Sequence, residues 1–178
     1  MTKEETILTK SQERYLQTIP ETARAQIQPW DPKTAEVAKR LIGEIEKAAP
    51  ELEVFWSGAL ALGISGVNDI DLSILSNAPD FEKYLPALVP ILGEPQKKSD
   101  INILWRTSIK GHHLDAYLSH KKSGDIELHK RIFRLLKQNS KLLKEYKNLK
   151  EDANGLPLRE YQKRKYEFYN RILKQYIS

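Results

Sequence analysis

Two aspartates separated by one apolar residue, Asp69 and Asp71, open the run Asp69-Ile-Asp-Leu-Ser-Ile-Leu75. In an extended strand Asp69, Asp71 and Ser73 share one face, and Ile70, Leu72 and Ile74 share the other. The apolar row is the core face. Two carboxylates this close repel, which raises the cost of keeping both ionised. A cation between them removes that cost. Hard divalent ions such as Mg²⁺ favour carboxylate oxygens and commonly share their shell with phosphate. The residue types therefore point to a metal–phosphate site.

Other polar residues fall where such a site needs them. Ser57-Gly58 precedes a short apolar stretch, Ala59 to Gly63, that reads as a helix. Free backbone N–H groups at that turn attract phosphate. Gly66 and Asn68 suit the turn before the acidic strand. A later strand over 112–119 has His112, Leu114, Ala116 and Leu118 in one row and His113, Asp115, Tyr117 and Ser119 in the other. Asp115 thus lies on a polar face, and the three acids converge if the two strands are neighbours. The strand before it, 101–109, turns back at Lys110-Gly111. Its acid-side row holds either Asn102, Leu104 and Arg106 or the alternate set, because sequence does not fix register. Arg106 and Lys110 are candidate phosphate contacts. His112 and His113 point opposite ways on a strand and cannot jointly chelate one ion. His113 is the one on Asp115's face. Lys97-Lys98 reads as a solvated loop.

The elements that position these residues follow from pattern and punctuation. Residues 1–30 look helical but weakly patterned, interrupted by Pro20. Asp31-Pro32 starts a helix to about Ala48, with Val37, Leu41, Ile42 and Ile45 on its buried side. Pro50 stops it, and 52–56 reads as a strand. Asp80 caps a helix over roughly 80–92, followed by a loop over 93–99. From Asp125 the pattern is helical to the end, broken by the turn Asn154-Gly155-Leu-Pro157. The expected organisation is an N-terminal helical arm over 1–30, an α/β core over 31–120, and a basic helical region over 121–178 packed on the core.

Composition limits the function classes. There is no cysteine among 178 residues, which rules out disulfides, thiolate zinc sites and cysteine nucleophiles. No apolar run approaches the ~20 residues that span a bilayer, and the first residues lack the basic-then-apolar order of a signal peptide. A cytoplasmic protein that does not engage membranes is the expectation. Charge is uneven. Residues 1–119 hold 13 Lys+Arg and 17 Asp+Glu, a net of −4, and residues 120–178 hold 16 and 7, a net of +9. The basic tail, with Tyr146, Tyr161, Tyr166, Tyr169 and Tyr176 among its lysines and arginines, could neutralise and stack a nucleic acid strand. Its helical spacing assigns those rings first to packing.

Trp56-Ser57-Gly58, ten residues, then Asp69-Ile70-Asp71-Leu72 resembles the signature of the nucleotidyltransferase superfamily of the DNA polymerase β type. Asp115, within His-His-Leu-Asp-Ala-Tyr-Leu, resembles its third carboxylate. The usual first Gly of that signature is Ser57 here. Three features together resemble the GrpB-like family of that superfamily. They are Gln28-Pro-Trp-Asp-Pro32, the site stretch itself, and the tail segments His129-Lys-Arg-Ile-Phe-Arg-Leu-Leu, Leu143-Lys-Glu-Tyr-Lys-Asn-Leu-Lys150 and Lys163-Arg-Lys-Tyr-Glu-Phe. The resemblance implies an α+β fold, a nucleotidyltransferase-like mixed sheet backed by helices with a C-terminal helical extension. It implies Asp69, Asp71 and Asp115 holding Mg²⁺ or Mn²⁺, with the triphosphate of an NTP at Ser57-Gly58 and near Arg106, Lys110 and His113. The implied reaction moves a nucleoside monophosphate to an acceptor that could be a small molecule, RNA or protein. Two ions ~3.5–4 Å apart would stabilise the attacking and leaving oxygens. The competing reading is a noncatalytic nucleotide- or nucleic-acid-binding module on the same fold.

Overall fold

In the computed structural model, residues 8–176 are described. The chain divides into two compact units, Pro29–Lys130 and Met1–Gln28 with Arg131–Ser178.

The first unit opens with α2 (Pro32–Ala48), which follows α1 (Lys10–Thr18) of the other unit. Asp31 caps it, accepting from the backbone N–H groups of Lys33 and Thr34, and Pro32 occupies the first turn. Pro is tolerated there because that N–H has no helical partner to lose. Then come β1 (Glu53–Ser57), α3 (Gly58–Leu62), β2 (Ile70–Ser76), α4 (Leu85–Leu92), β3 (Lys97–Lys98), β4 (Asn102–Ile109) and β5 (His112–His120). The strands form one sheet in the order β1-β2-β5-β4-β3. β2 and β5 are parallel; the other neighbours are antiparallel. The sheet is therefore mixed.

One face of that sheet is the core. Ile70, Leu72 and Ile74 of β2 lie beside Leu114, Ala116 and Leu118 of β5 and Ile103 and Trp105 of β4. Ala38, Leu41 and Ile45 of α2 and Leu88 and Leu92 of α4 belong to the same cluster. Each fully buried Leu or Ile contributes about 1.5–3 kcal/mol. Trp105 satisfies its indole N–H on the Gly93 carbonyl at 2.9 Å. Because side chains alternate, burying this row commits the other row of each strand to the opposite face.

Three local expectations change. The helix expected from Asp80 begins at Leu85, preceded by a 3₁₀ turn at Glu82–Tyr84. Pro86 falls in the first turn, where its missing N–H has no helical partner to lose, and the α-helix starts directly before it; Pro90 lies inside the same helix. The loop over 93–99 contains β3, whose Lys97 and Lys98 pair with Leu104 and Ile103. Val37 and Ile42 are half-buried, while Thr34, Ala35 and Ala38 join Leu41 and Ile45 inside.

In the other unit, α1 spans only Lys10–Thr18, started by a Thr9/Gln12 capping box. The helical reading of 1–30 is corrected beyond Thr18. Pro20 cannot donate to a helix, and the chain after it pairs instead with the turn Asn154-Gly155-Leu-Pro157. There Ala25 N–H meets Leu156 O at 2.9 Å and Gly155 N–H meets Ala25 O at 2.8 Å. Residues 1–7 of the expected arm lie outside the described residues. Helix α5 (Gly124–Gln138) begins in the first unit and enters this one at Arg131, and α6 (Ser140–Asp152) and α7 (Leu158–Tyr176) follow. Tyr146 is buried, stacked on Phe168 at 5.2 Å between centroids, and Tyr161 is buried against Ala25, Ile27 and Ala153. These two tail tyrosines are packing residues.

Candidate active site

The polar face of the sheet carries one straight cross-strand row. Ser57 pairs with Asp71, Asp71 with Asp115, and Asp115 with Arg106, across β1, β2, β5 and β4. Paired residues on neighbouring strands present side chains to the same face, with Cβ atoms ~5 Å apart. Asp69 stands one residue before β2, two positions from Asp71. Carboxylate oxygens of Asp69, Asp71 and Asp115 all lie within 4.8 Å of one another, and all three residues are half-buried. β2 and β5 are indeed neighbours, and their in-register parallel pairing brings acids 44 positions apart in the chain face to face.

Arg106 answers the open question of register. Its row, with Asn102 and Leu104, is the one on the acid face. Its Nε donates to Asp115 Oδ1 at 2.7 Å, with Asp115's side chain 20% exposed and that of Arg106 54% exposed. His113 is on the same face, its Nε2 3.7 Å from the same oxygen. Tyr117, two residues on, is half-buried. Burial pushes its phenol above the ordinary value; Arg106 pulls it back and the Asp115 charge adds to the rise. It therefore stays protonated through the neutral range.

Gly58 makes the close turn above this row. Its φ is +83°, a backbone conformation that favours glycine. A Cβ built there would collide with the Asp71 carboxylate. The turn from β1 into α3 thus places bare backbone over an acid. Ser57 precedes α3 without a capping side-chain hydrogen bond. Lys110 sits elsewhere, in the β4–β5 turn at φ +50°. Four residue steps along the strand, roughly 13 Å, separate its backbone from that of Arg106. His112 faces the other way, its Nδ1 2.8 Å from Thr34 Oγ1.

The approach to Asp69 held residues that pattern reading treated only as a turn. Asn68 has φ +59°. Its amide donates to the Pro29 carbonyl at 2.7 Å, and its Oδ1 accepts from the Asp31 N–H at 3.3 Å. Trp30 donates its indole N–H to the Leu60 carbonyl in α3 at 3.0 Å. The signal available beforehand was Asn, which tolerates φ > 0, placed directly before an acid.

A mixed five-stranded sheet, helix-backed on one face and acidic on the other, is a nucleotidyltransferase-like fold. The conserved protein GrpB from Enterococcus faecalis shares it with a TM-score of 0.64 at 16% identity, over 85% of this chain and 99% of that one. Cid1 poly(U) polymerase with MgGTP bound aligns with a TM-score of 0.47 at 15% identity, over 75% of this chain and 43% of that one. A cytoplasmic RNA terminal U-transferase aligns at 0.46 and 15%, over 79% of this chain and 43% of that one. No protein-family profile and no curated protein matches the sequence. Among the described residues no helix is long and apolar enough to cross a membrane.

Proposed function

We propose that this chain is a divalent-metal-dependent nucleotidyltransferase that moves a nucleoside monophosphate from an NTP to an acceptor. One observation carries the reading: three carboxylates from two strands and a preceding loop gather beneath a glycine turn, beside an arginine. The donor set fits Mg²⁺ or Mn²⁺ in kind, being oxygen only, with one carboxylate oxygen from each acid within 4.8 Å of the others. Asp69, Asp71 and Asp115 are the ligands. When bound, the cation supplies charge neutralisation on the reacting phosphates.

The chain's own residues do the rest. Gly58, lacking a Cβ, lets the Asp71 carboxylate sit against the β1–α3 turn, and the backbone of that turn, with Ser57 beside it, receives the triphosphate. Arg106 exchanges its Asp115 contact for phosphate oxygens, which suits a planar, forked donor. His113, on the same face, is a further phosphate contact; Lys110 reaches only the far end of a triphosphate or the acceptor. An acceptor oxygen attacks the α-phosphorus, a P–O bond forms, the α–β bridging P–O bond breaks, and pyrophosphate leaves. The acceptor proton passes to Asp115 or to water. No covalent enzyme intermediate is required, because positioning and electrostatics carry the rate.

The test is direct. Mn²⁺ and NTP binding by the whole chain should saturate below millimolar concentration. Labelled NTP with Mg²⁺ should then mark a component of a metabolite, RNA or protein pool. Absence of both binding events at millimolar concentration ends the proposal. Nucleotide or nucleic acid binding that survives Asp69→Asn and Asp115→Asn would favour the noncatalytic reading. The Arg106–Asp115 ion pair is the observation on its side, since it lets the face stand without a metal.

A further inference from the structure

Asp71 and Asp115 are held by the strand ladder, but Asp69 is not. It precedes β2, whose first residue is Ile70. A carboxylate that must meet two others needs its backbone fixed by something else. Its neighbour Asn68 supplies this, by bonding through both ends of its side-chain amide to one short segment, Pro29 O and Asp31 N–H.

The same segment reaches the other parts of the site. Trp30 ties α3, which begins at the Gly58 turn, through the Leu60 carbonyl. The Asp31 carboxylate accepts from the buried Thr34 hydroxyl at 2.5 Å. That spends the only hydroxyl proton, so the 2.8 Å contact between Thr34 Oγ1 and His112 Nδ1 runs from an imidazole N–H to the threonine oxygen. His112 lies three residues before Asp115 on β5. One polar chain therefore joins the loop before β2, the start of α2 and the start of β5, while Trp30 adds α3. Hydrogen bonding by Thr34, and then by the Lys33 backbone, holds the Asp31 carboxyl below its ordinary range, which keeps it an acceptor at neutral pH.

We propose that residues 29–31 and Asn68 form a clamp that sets the position of Asp69 against Asp71 and Asp115, with Asn68 as its positioning residue. Functionally this rests on reading the three acids as a metal site; geometrically it stands without it. The variant Asn68→Gly removes both amide bonds yet accepts φ +59° without strain. Its Tm should stay within a few degrees of the parent. Its Mn²⁺ affinity, read by electron paramagnetic resonance, should fall about tenfold, and a crystal structure should show the Asp69 carboxylate displaced by about 1 Å or more. Asn68→Asp keeps the acceptor for Asp31 N–H and should recover part of the affinity.

An Asn68→Gly protein with Asp69 in place and Mn²⁺ affinity within twofold of the parent overturns the clamp. So does a large fall in Tm with Asp69 unmoved, which would make Asn68 a folding residue. If the parent chain binds no Mn²⁺, the metal-site reading fails. The position of Asp69 in the Asn68→Gly crystal then decides the clamp by itself, displaced in its favour or unmoved against it.

Discussion

At the scale of single residues, the site sets like charges together and glycine where no other residue fits. Carboxylates with oxygens less than 4.8 Å apart repel by roughly 1–3 kcal/mol per ionised pair at a half-buried position. Asp71→Asn should therefore leave folding intact or raise metal-free Tm by a few degrees, while weakening Mn²⁺ binding tenfold or more; calorimetry and metal titration read the two effects. A large loss of metal-free stability would make the acids structural. Gly58→Ala tests the turn. At φ +83° alanine costs about 1–3 kcal/mol, and its methyl must displace the Asp71 carboxylate. Both Tm and Mn²⁺ affinity should drop, unlike the Asp71→Asn pair of outcomes. Much at this scale was legible beforehand. Parity alone separates Asp69 and Asp71 from Ile70 and Leu72, and Asp115 from Leu114. Asn68 was legible as a turn residue only, because its two bonds go to a segment 37 and 39 positions away.

At the scale of elements, what a strand faces is local information and what it pairs with is not. Alternation in β2 and β5 announces a core row and a polar row. Which row of β4 joins the acids depends on where the Lys110-Gly111 turn sits, so Arg106 gained its place only from the register. Likewise the two-residue β3 has no pattern of its own and exists because Gln96 and Ser99 bond around β4. Pro86 and Pro20 were visible, but their consequences depended on whether the chain tightens into a 3₁₀ turn or runs extended. Asp31-Pro32 was fully local, and α2 starts there. The depressed carboxyl of Asp31 carries a pH signature. Its folded-state value lies below the unfolded 3.8, so its contribution to stability is complete above that pH and is lost as pH falls through the folded-state value. Asp31→Ala should lower Tm at pH 7 and flatten the fall of stability below pH 4, as thermal melts across pH 2.5–7 would show.

At the scale of the molecule, charge divides with the units. Residues 29–130 contain 12 Lys+Arg and 15 Asp+Glu; the remaining residues contain 17 and 9. The acid-bearing unit thus has no net attraction for a polyanion, so a triphosphate would depend on local groups: the Gly58 turn, Arg106 and a cation. The proposed reaction draws all its contacts from residues 57–115. Lys141→Glu with Lys144→Glu on α6 should leave NTP and Mn²⁺ affinity within twofold while weakening any single-stranded RNA binding, with a shallower salt dependence. Loss of NTP affinity in that variant would assign the nucleotide to the tail.

The sheet ends on one side in a strand of only two residues, both exposed lysines. A border so brief and so positively charged gives another molecule little to add a strand to. At this edge, protection against strand addition by another copy should therefore rest on Lys97 and Lys98. Replacing both with threonine should hardly change the melting temperature yet bring on turbidity during prolonged incubation at high protein concentration.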